Sequence, residues 1–194
     1  IINKFRGDKS LLEPGNKMIE KLTGVPVIGV LPMSDIDIDE EDSVSLTRKS
    51  RQKEAGKALD VAVIDLDKIS NFTDVHSLEI QPDVSVRYVV KADELGTPDL
   101  LILPGSKNTN EDLAVLKKNG LYEEILRAHQ DGSKVVGICG GYQILGRKLY
   151  DPEVIESPIK EQAGLGLLDT ETTFNEQKTT TQAVAKRKNY TLKG

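Results

Sequence analysis

Short apolar runs alternate with amphipathic stretches along this chain, the pattern of strands alternating with helices. "IINKF" reads as a strand end. "SLLEPGNKMIEKLTG" sets Leu12, Met18, Ile19 and Leu22 at helical spacing and offers Gly24 as a stop. "VPVIGVLP" reads as a second, buried strand closed by Pro32, so residues 1 to 33 form one βαβ unit. The pattern then lapses. "SDIDIDEEDS" is a run of adjacent carboxylates without metal-loop glycines and reads as a solvated loop. "SLTRKSRQKEAGKA" is polar and basic without a clear apolar face, and reads as an interdomain connector whose composition allows a helix.

Alternation resumes at residue 59. "LDVAVIDL", "VSVRYVV", "PDLLILPG" and "KVVGIC" read as four strands, the third fully apolar and therefore central. "ISNFTDVHSLEI" is taken as loop. "TNEDLAVLKKNGLYEEILRAHQDG" divides into two short helices at Gly120, and "GGYQILGRKLY" opens another. "AGLGLLDTETTF" and "KTTTQAVAKR" read as later strands. This order predicts an α/β fold with a parallel sheet covered on both faces and a site at the strands' carboxyl ends.

Composition narrows the partners. The 194 residues carry a formal net charge of −5, which gives no electrostatic footprint for nucleic acid. No apolar run reaches the ~18 residues of a membrane span. The single cysteine precludes an internal disulfide and fits a reducing, cytoplasmic setting. The chain begins at Ile1 inside a strand and ends at "NYTLKG", which suggests a piece of a longer protein.

That cysteine lies in "KVVGICGGYQILG". A strand, a Gly-Ile-Cys-Gly-Gly bend and a helix follow the logic of a nucleophile elbow. Gly137, Gly140 and Gly141 give the turn room. The helix that follows would aim N–H groups at the sulfur and favour the reactive thiolate, and the Gly140 N–H could stabilise an oxyanion. A lone cysteine is ordinarily a small buried hydrophobe; the glycines after an apolar strand tip the balance toward reactivity. "LILPGSKNT" should end the neighbouring strand at the same edge, where Gly105 could turn a second N–H toward the oxyanion. The same stretch also reads as an ordinary turn capped by Asn108 or Thr109. A thiolate nucleophile usually has a histidine partner. Of the two present, His129 should lie at the opposite sheet edge, while His76 sits in a loop that could approach the site.

"GICGGYQILG" together with "DLLILPGSKNTNEDLAVLKKNGL" resembles the class I-type glutamine amidotransferase domain of the cobyric acid synthase family. "INKFRGDKSLLEPG", "GVPVIGVLP", "EDSVSL", "ISNFTDVHSL" and "GLGLLDTETTF" extend the resemblance, in order, over essentially the whole chain. The elbow alone would also admit cobyrinic acid diamide synthases and cell-wall precursor amidotransferases; "NKFRGD" with "SNFTD" narrows it. The resemblance implies a flavodoxin-like amidotransferase domain over 58–194, lacking its C-terminal part. A linker at 48–57 and the end of a P-loop α/β synthetase domain over 1–47 would precede it. It implies Cys139 as nucleophile, Gly105, Ser106, Gly140 and Gln143 as oxyanion or glutamine-binding positions, and Tyr142 as part of the elbow. Asn3 and Pro32 would approach an adenine base, and no residue would hold a metal.

No G-x-x-x-x-G-K-[ST] loop occurs here, so ATP and Mg²⁺ are expected for the full-length enzyme and no cofactor for this piece. The partners implied are glutamine and a corrinoid, adenosylcobyrinic acid a,c-diamide, amidated at peripheral carboxylates on the way to cobalamin. The family's catalytic histidine would follow Gly194, leaving residues 1–194 inactive alone. Two other readings stay open: a Cys-dependent hydrolase of the same fold, and a binding module with an idle elbow.

Overall fold

The structure, a computed structural model, describes residues 1–34, 50–71, 73–177, 180–188 and 190–193. The acidic run after Ser34 and the first part of the connector lie outside these residues. The chain divides into two compact units, Ile1–Asp39 and Glu40–Gly194.

In the first unit, β1 (Ile2–Phe5) pairs in parallel with β2 (Val30–Pro32) across α1 (Lys9–Thr23). The helix begins where the Asp8 carboxylate accepts the Ser10 N–H and ends at Gly24, whose φ of 71° suits glycine. The expected strand over 25–32 shrinks to Val30–Pro32. It is not buried: Ile28 and Leu31 are exposed. Two strands and one helix are too few to cover both faces of a sheet.

The second unit is built on four parallel strands: β3 (Leu59–Ile64), β4 (Val84–Val89), β5 (Leu100–Leu103) and β6 (Lys134–Gly137), in the order β4-β3-β5-β6. Counted along the chain this is 2-1-3-4, the flavodoxin-like order, with its switch point between β3 and β5. Alternate residues of β3 serve two cores. Ala62 and Ile64 pack with Leu113 and Leu116 of α3 (Thr109–Lys118), Leu121 and Ile125 of α4 (Leu121–Gln130), and Ile144 of α5 (Gly140–Leu145). Val61 and Val63 pack on the other face with Val75 and Ile102. Coverage of both faces explains the unbroken apolar runs.

Several expectations are corrected. "ISNFTDVHSLEI" is not all loop: it forms a 3-10 turn (Thr73–Val75) and α2 (His76–Glu79), anchored by buried Val75. The described part of the connector carries no helix. Residues 50–54 run beside the edge strand, where Tyr88 N–H donates to Ser50 O at 2.8 Å and Glu54 N–H to Ser85 Oγ at 2.8 Å. Beyond α5 the chain turns directly into β7 (Lys148–Tyr150), flanked by β8 (Glu161–Ala163) and β9 (Glu171–Thr173). β10 (Val184–Arg187) and β11 (Tyr190–Lys193) form a terminal hairpin.

One buried ion pair ties the sheet together. Arg87 Nε lies 2.9 Å from Asp60 Oδ1, and the guanidinium also donates to the Glu94 and Leu95 carbonyls. The pair is bidentate and all three guanidinium nitrogens find acceptors, the compensation that a buried pair requires.

Candidate active site

Loops after β3, β5 and β6 converge at the carboxyl ends of the central strands. Cys139 sits between β6 and α5 with φ 50° and ψ −110°, a conformation an L-residue adopts only under constraint. The constraint is visible on both sides: Ile138 N–H donates to Leu103 O at 2.9 Å, and Gln143 N–H donates to Cys139 O at 3.1 Å. The thiol side chain is exposed.

Glycines make this turn possible. A Cβ on Gly137 would lie 2.6 Å from Gly141 C and Tyr142 N, and one on Gly141 would overlap the Leu103 carbonyl oxygen. Helix α5 therefore begins directly on the ends of β5 and β6. At Gly140 a Cβ would meet Thr109 Oγ1 at 2.8 Å and Ser106 N at 3.1 Å, which brings the Ser106 peptide to the elbow.

The Gly105–Ser106 peptide is aligned by a short antiparallel bridge. Ile69 faces Ser106, Ser70 N–H donates to Gly105 O at 2.9 Å, and Lys107 N–H donates to Lys68 O at 2.8 Å. In such a pair the N–H of the facing residue points away from the partner strand. The Ser106 N–H thus turns from residues 67–71 toward Gly140. The Ser106 hydroxyl is otherwise engaged: it donates to Asp112 Oδ2 at 2.6 Å and accepts from Asn108 N–H at 3.0 Å. What Ser106 offers the site is its backbone.

Behind this wall lies the N-terminus of α3. Asn108 caps it by accepting from Glu111 N–H, as one sequence reading expects. Glu156 Oε2 accepts from Asn110 N–H at 3.0 Å, and Asn108 Nδ2 donates to Glu156 O at 2.7 Å. Burial pushes the Asp112 and Glu156 carboxyls up, opposed by the Ser106 hydroxyl at the first and by Asn110 and Thr109 N–H groups at the second. Buried Thr109 donates to Gln143 Oε1 at 3.1 Å. Gln143 lies in the first turn of α5, four residues beyond Cys139, and its N–H donates to the Cys139 carbonyl.

The structure thus brings together Cys139, Gly140, Gly105, Ser106 and Gln143. Tyr142 is on the same helix and exposed. His129 is on α4, its Nδ1 3.3 Å from Ser133 O, at the amino end of β6 and so opposite the elbow. His76 stands on α2 with Nδ1 3.6 Å from Glu79 Oε2. Asn3 and Pro32 belong to the first unit, where Asn3 Oδ1 accepts the Lys4 N–H and Pro32 is in register with Phe5. Sequence reasoning missed Ser70 and the Asp112 and Glu156 carboxylates. Only the polarity at the start of α3 hinted at Asp112, and no local signal marked Glu156. Among the described residues no group of three or more His, Cys, Asp or Glu could hold a metal, and no helix is long and apolar enough to cross a membrane.

Residues 60–194 match the family model of the CobB/CobQ-like glutamine amidotransferase domain. Over all 194 residues the chain is 84% identical to a cobyric acid synthase of Limosilactobacillus reuteri, covering 39% of that protein. It is 57% identical to the cobyric acid synthase of Streptococcus sanguinis, again over 39% of its length. The chain therefore spans about two fifths of these curated relatives. A solved structure of a glutamine amidotransferase overlays with a TM-score of 0.45 at 20% identity, over 64% of this chain and 62% of that one.

Proposed function

This chain belongs to the CobB/CobQ-like glutamine amidotransferase family, and from that premise we propose that it supplies ammonia by hydrolysing glutamine at Cys139. The observation that carries this reading is the constrained cysteine at the carboxyl end of the sheet, beside two backbone N–H groups free of the sheet ladder. In the proposed reaction the thiol proton passes to a histidine supplied from outside residues 1–194. The thiolate attacks the side-chain amide carbon of glutamine. Charge on the amide oxygen is taken up by the N–H groups of Ser106 and Gly140, aligned beforehand and therefore costing no reorganisation. The histidine returns its proton to the leaving nitrogen, ammonia departs, and water cleaves the thioester to glutamate. Gln143, oriented by Thr109, holds the substrate.

The whole enzyme is proposed to be a cytoplasmic cobyric acid synthase. Residues 1–47 would belong to its ATP- and Mg²⁺-dependent synthetase domain, 48–57 to the connector and 58–194 to the glutaminase. It would activate peripheral carboxylates of adenosylcobyrinic acid a,c-diamide and amidate them with the released ammonia. Cys139→Ala in the intact reading frame tests the division of labour. Glutamine-dependent amidation should vanish while amidation with added ammonium salt persists. Glutamate release by the variant at the parental rate would overturn the assignment.

A further inference from the structure

We propose that Ser70 is a substrate-contacting residue of the Cys139 site, its hydroxyl donating a hydrogen bond to the oxygen of the scissile amide. The proposal rests on the glutaminase reading above and adds to it a residue from the loop after β3, on the far side of the topological switch point.

The position of Ser70 is fixed by backbone. Its N–H donates to Gly105 O, Lys68 O accepts from Lys107 N–H, and Ile69 is buried with 7% exposure. The Lys68 ammonium pairs with Glu111 of α3. Residues 68–70 are thus held to the loop after β5 by main-chain bonds and to the start of α3 by the Lys68 side chain.

The side chain then has a defined place. A Cβ on Gly105 would overlap Ser70 Oγ and would lie 3.6 Å from Ser70 Cβ and 3.7 Å from Cys139 Cβ. The space that a side chain at 105 would fill is shared by the serine hydroxyl and the cysteine. This accounts for glycine at 105 as a requirement of the pocket: its φ is not in the left-handed region, so conformation alone does not demand it. Ser70 is exposed, and its hydroxyl has no hydrogen-bond partner among the described residues. An unengaged donor beside the nucleophile, on the edge that carries the Ser106 N–H, matches a carbonyl oxygen gaining negative charge.

The test compares two alkylation rates at Cys139 in the intact reading frame. A glutamine-mimicking diazo-ketone needs its carbonyl held as the substrate's would be; iodoacetamide needs only an accessible thiolate. Ser70→Ala should slow the diazo-ketone reaction by about tenfold or more, the usual weight of one hydrogen bond to a developing charge. The iodoacetamide rate should stay within twofold of the parent. Ser70→Thr, which keeps the hydroxyl, should recover most of the loss. An unchanged diazo-ketone rate in Ser70→Ala would overturn the proposal. So would equal slowing of both reagents, which would mark Ser70 as a support of the elbow. If the parent reacts with iodoacetamide but never with the diazo-ketone, the glutaminase reading itself fails and takes Ser70 with it.

Discussion

Gly141→Ala sets two effects of opposite sign against each other, and the structure decides between them. Gly141 lies inside α5, where alanine is favoured over glycine by about 1 kcal/mol. The added methyl, however, would overlap the Leu103 carbonyl oxygen and lie 2.7 Å from Leu103 C and 2.8 Å from Pro104 O. Even a weak C–H···O contact needs about 3.3 Å, so clearing the Leu103 oxygen requires α5 to lift from β5 by about 1 Å. Neither side can yield easily. The Leu103 carbonyl accepts the Ile138 N–H, and the Gly141 N–H donates to Ile138 O. Overpacking costs about 1–3 kcal/mol where side chains can move aside; a backbone collision belongs at or above the upper end. The net expectation is a loss of about 2–3 kcal/mol, read as a lower urea midpoint at unchanged slope. Iodoacetamide should also report altered reactivity at Cys139, two residues away. Gly166→Ala is the control. Its φ of 68° costs about 1–2 kcal/mol, nothing lies within 4 Å of its Cβ, and Cys139 should be unaffected. A Gly141→Ala protein as stable as the parent, or more so, would refute the close approach on which the elbow depends.

Other substitutions test the strain and the electrostatics. Because Cys139 has φ 50°, glycine relaxes this position and alanine does not. Cys139→Gly should therefore be about 1 kcal/mol more stable than Cys139→Ala by thermal unfolding, with both unreactive to alkylation; equal stability would argue against backbone strain at the nucleophile. Asp151 is fully buried and accepts the N–H groups of Ile155, Glu156 and Ser157 at 2.7, 2.9 and 3.0 Å. Burial pushes its carboxyl up, but these donors outweigh it and leave the pKa below the ordinary range. A carboxyl depressed in the folded state stabilises fully above its unfolded pKa of about 4 and loses that stabilisation as pH falls through the folded value. Asp151→Asn should cost about 1–3 kcal/mol at neutral pH and flatten the acid limb of the stability profile; an acid limb of unchanged slope would exclude Asp151 as its source.

The parallel sheet was legible because its evidence is local. Runs such as "VAVI" in β3 and "LLIL" in β5 are apolar at every position, as strands covered on both faces must be, and Gly24 and Gly120 mark helix boundaries by their backbone requirement. The elbow was legible for a related reason: Gly137, Gly140 and Gly141 crowd one bend because backbones meet there. Legibility fails where tertiary pairing overrides local pattern. "VPVIGVLP" looks like a buried strand, yet only its last three residues find a partner in β1. "RKLY" follows a helix opening that Gly146 stops after only six residues, and it becomes a strand because β8 and β9 receive it. Ser70 could not have been found by spacing, since its place beside Cys139 depends on a two-residue bridge across 37 positions of sequence, from Ile69 to Ser106. Thr109 was readable as a cap candidate, but its bond to Gln143 is not a sequence property.

The central claim is that Cys139 is a nucleophile in a glutamine pocket. Its most direct test is intact-mass and peptide mapping of the intact reading frame after exposure to the glutamine-mimicking diazo-ketone, with and without excess glutamine. The account predicts one adduct, on Cys139, prevented by glutamine and lost in Cys139→Ala. A folded parent that forms no adduct, or one that glutamine does not protect, would contradict it.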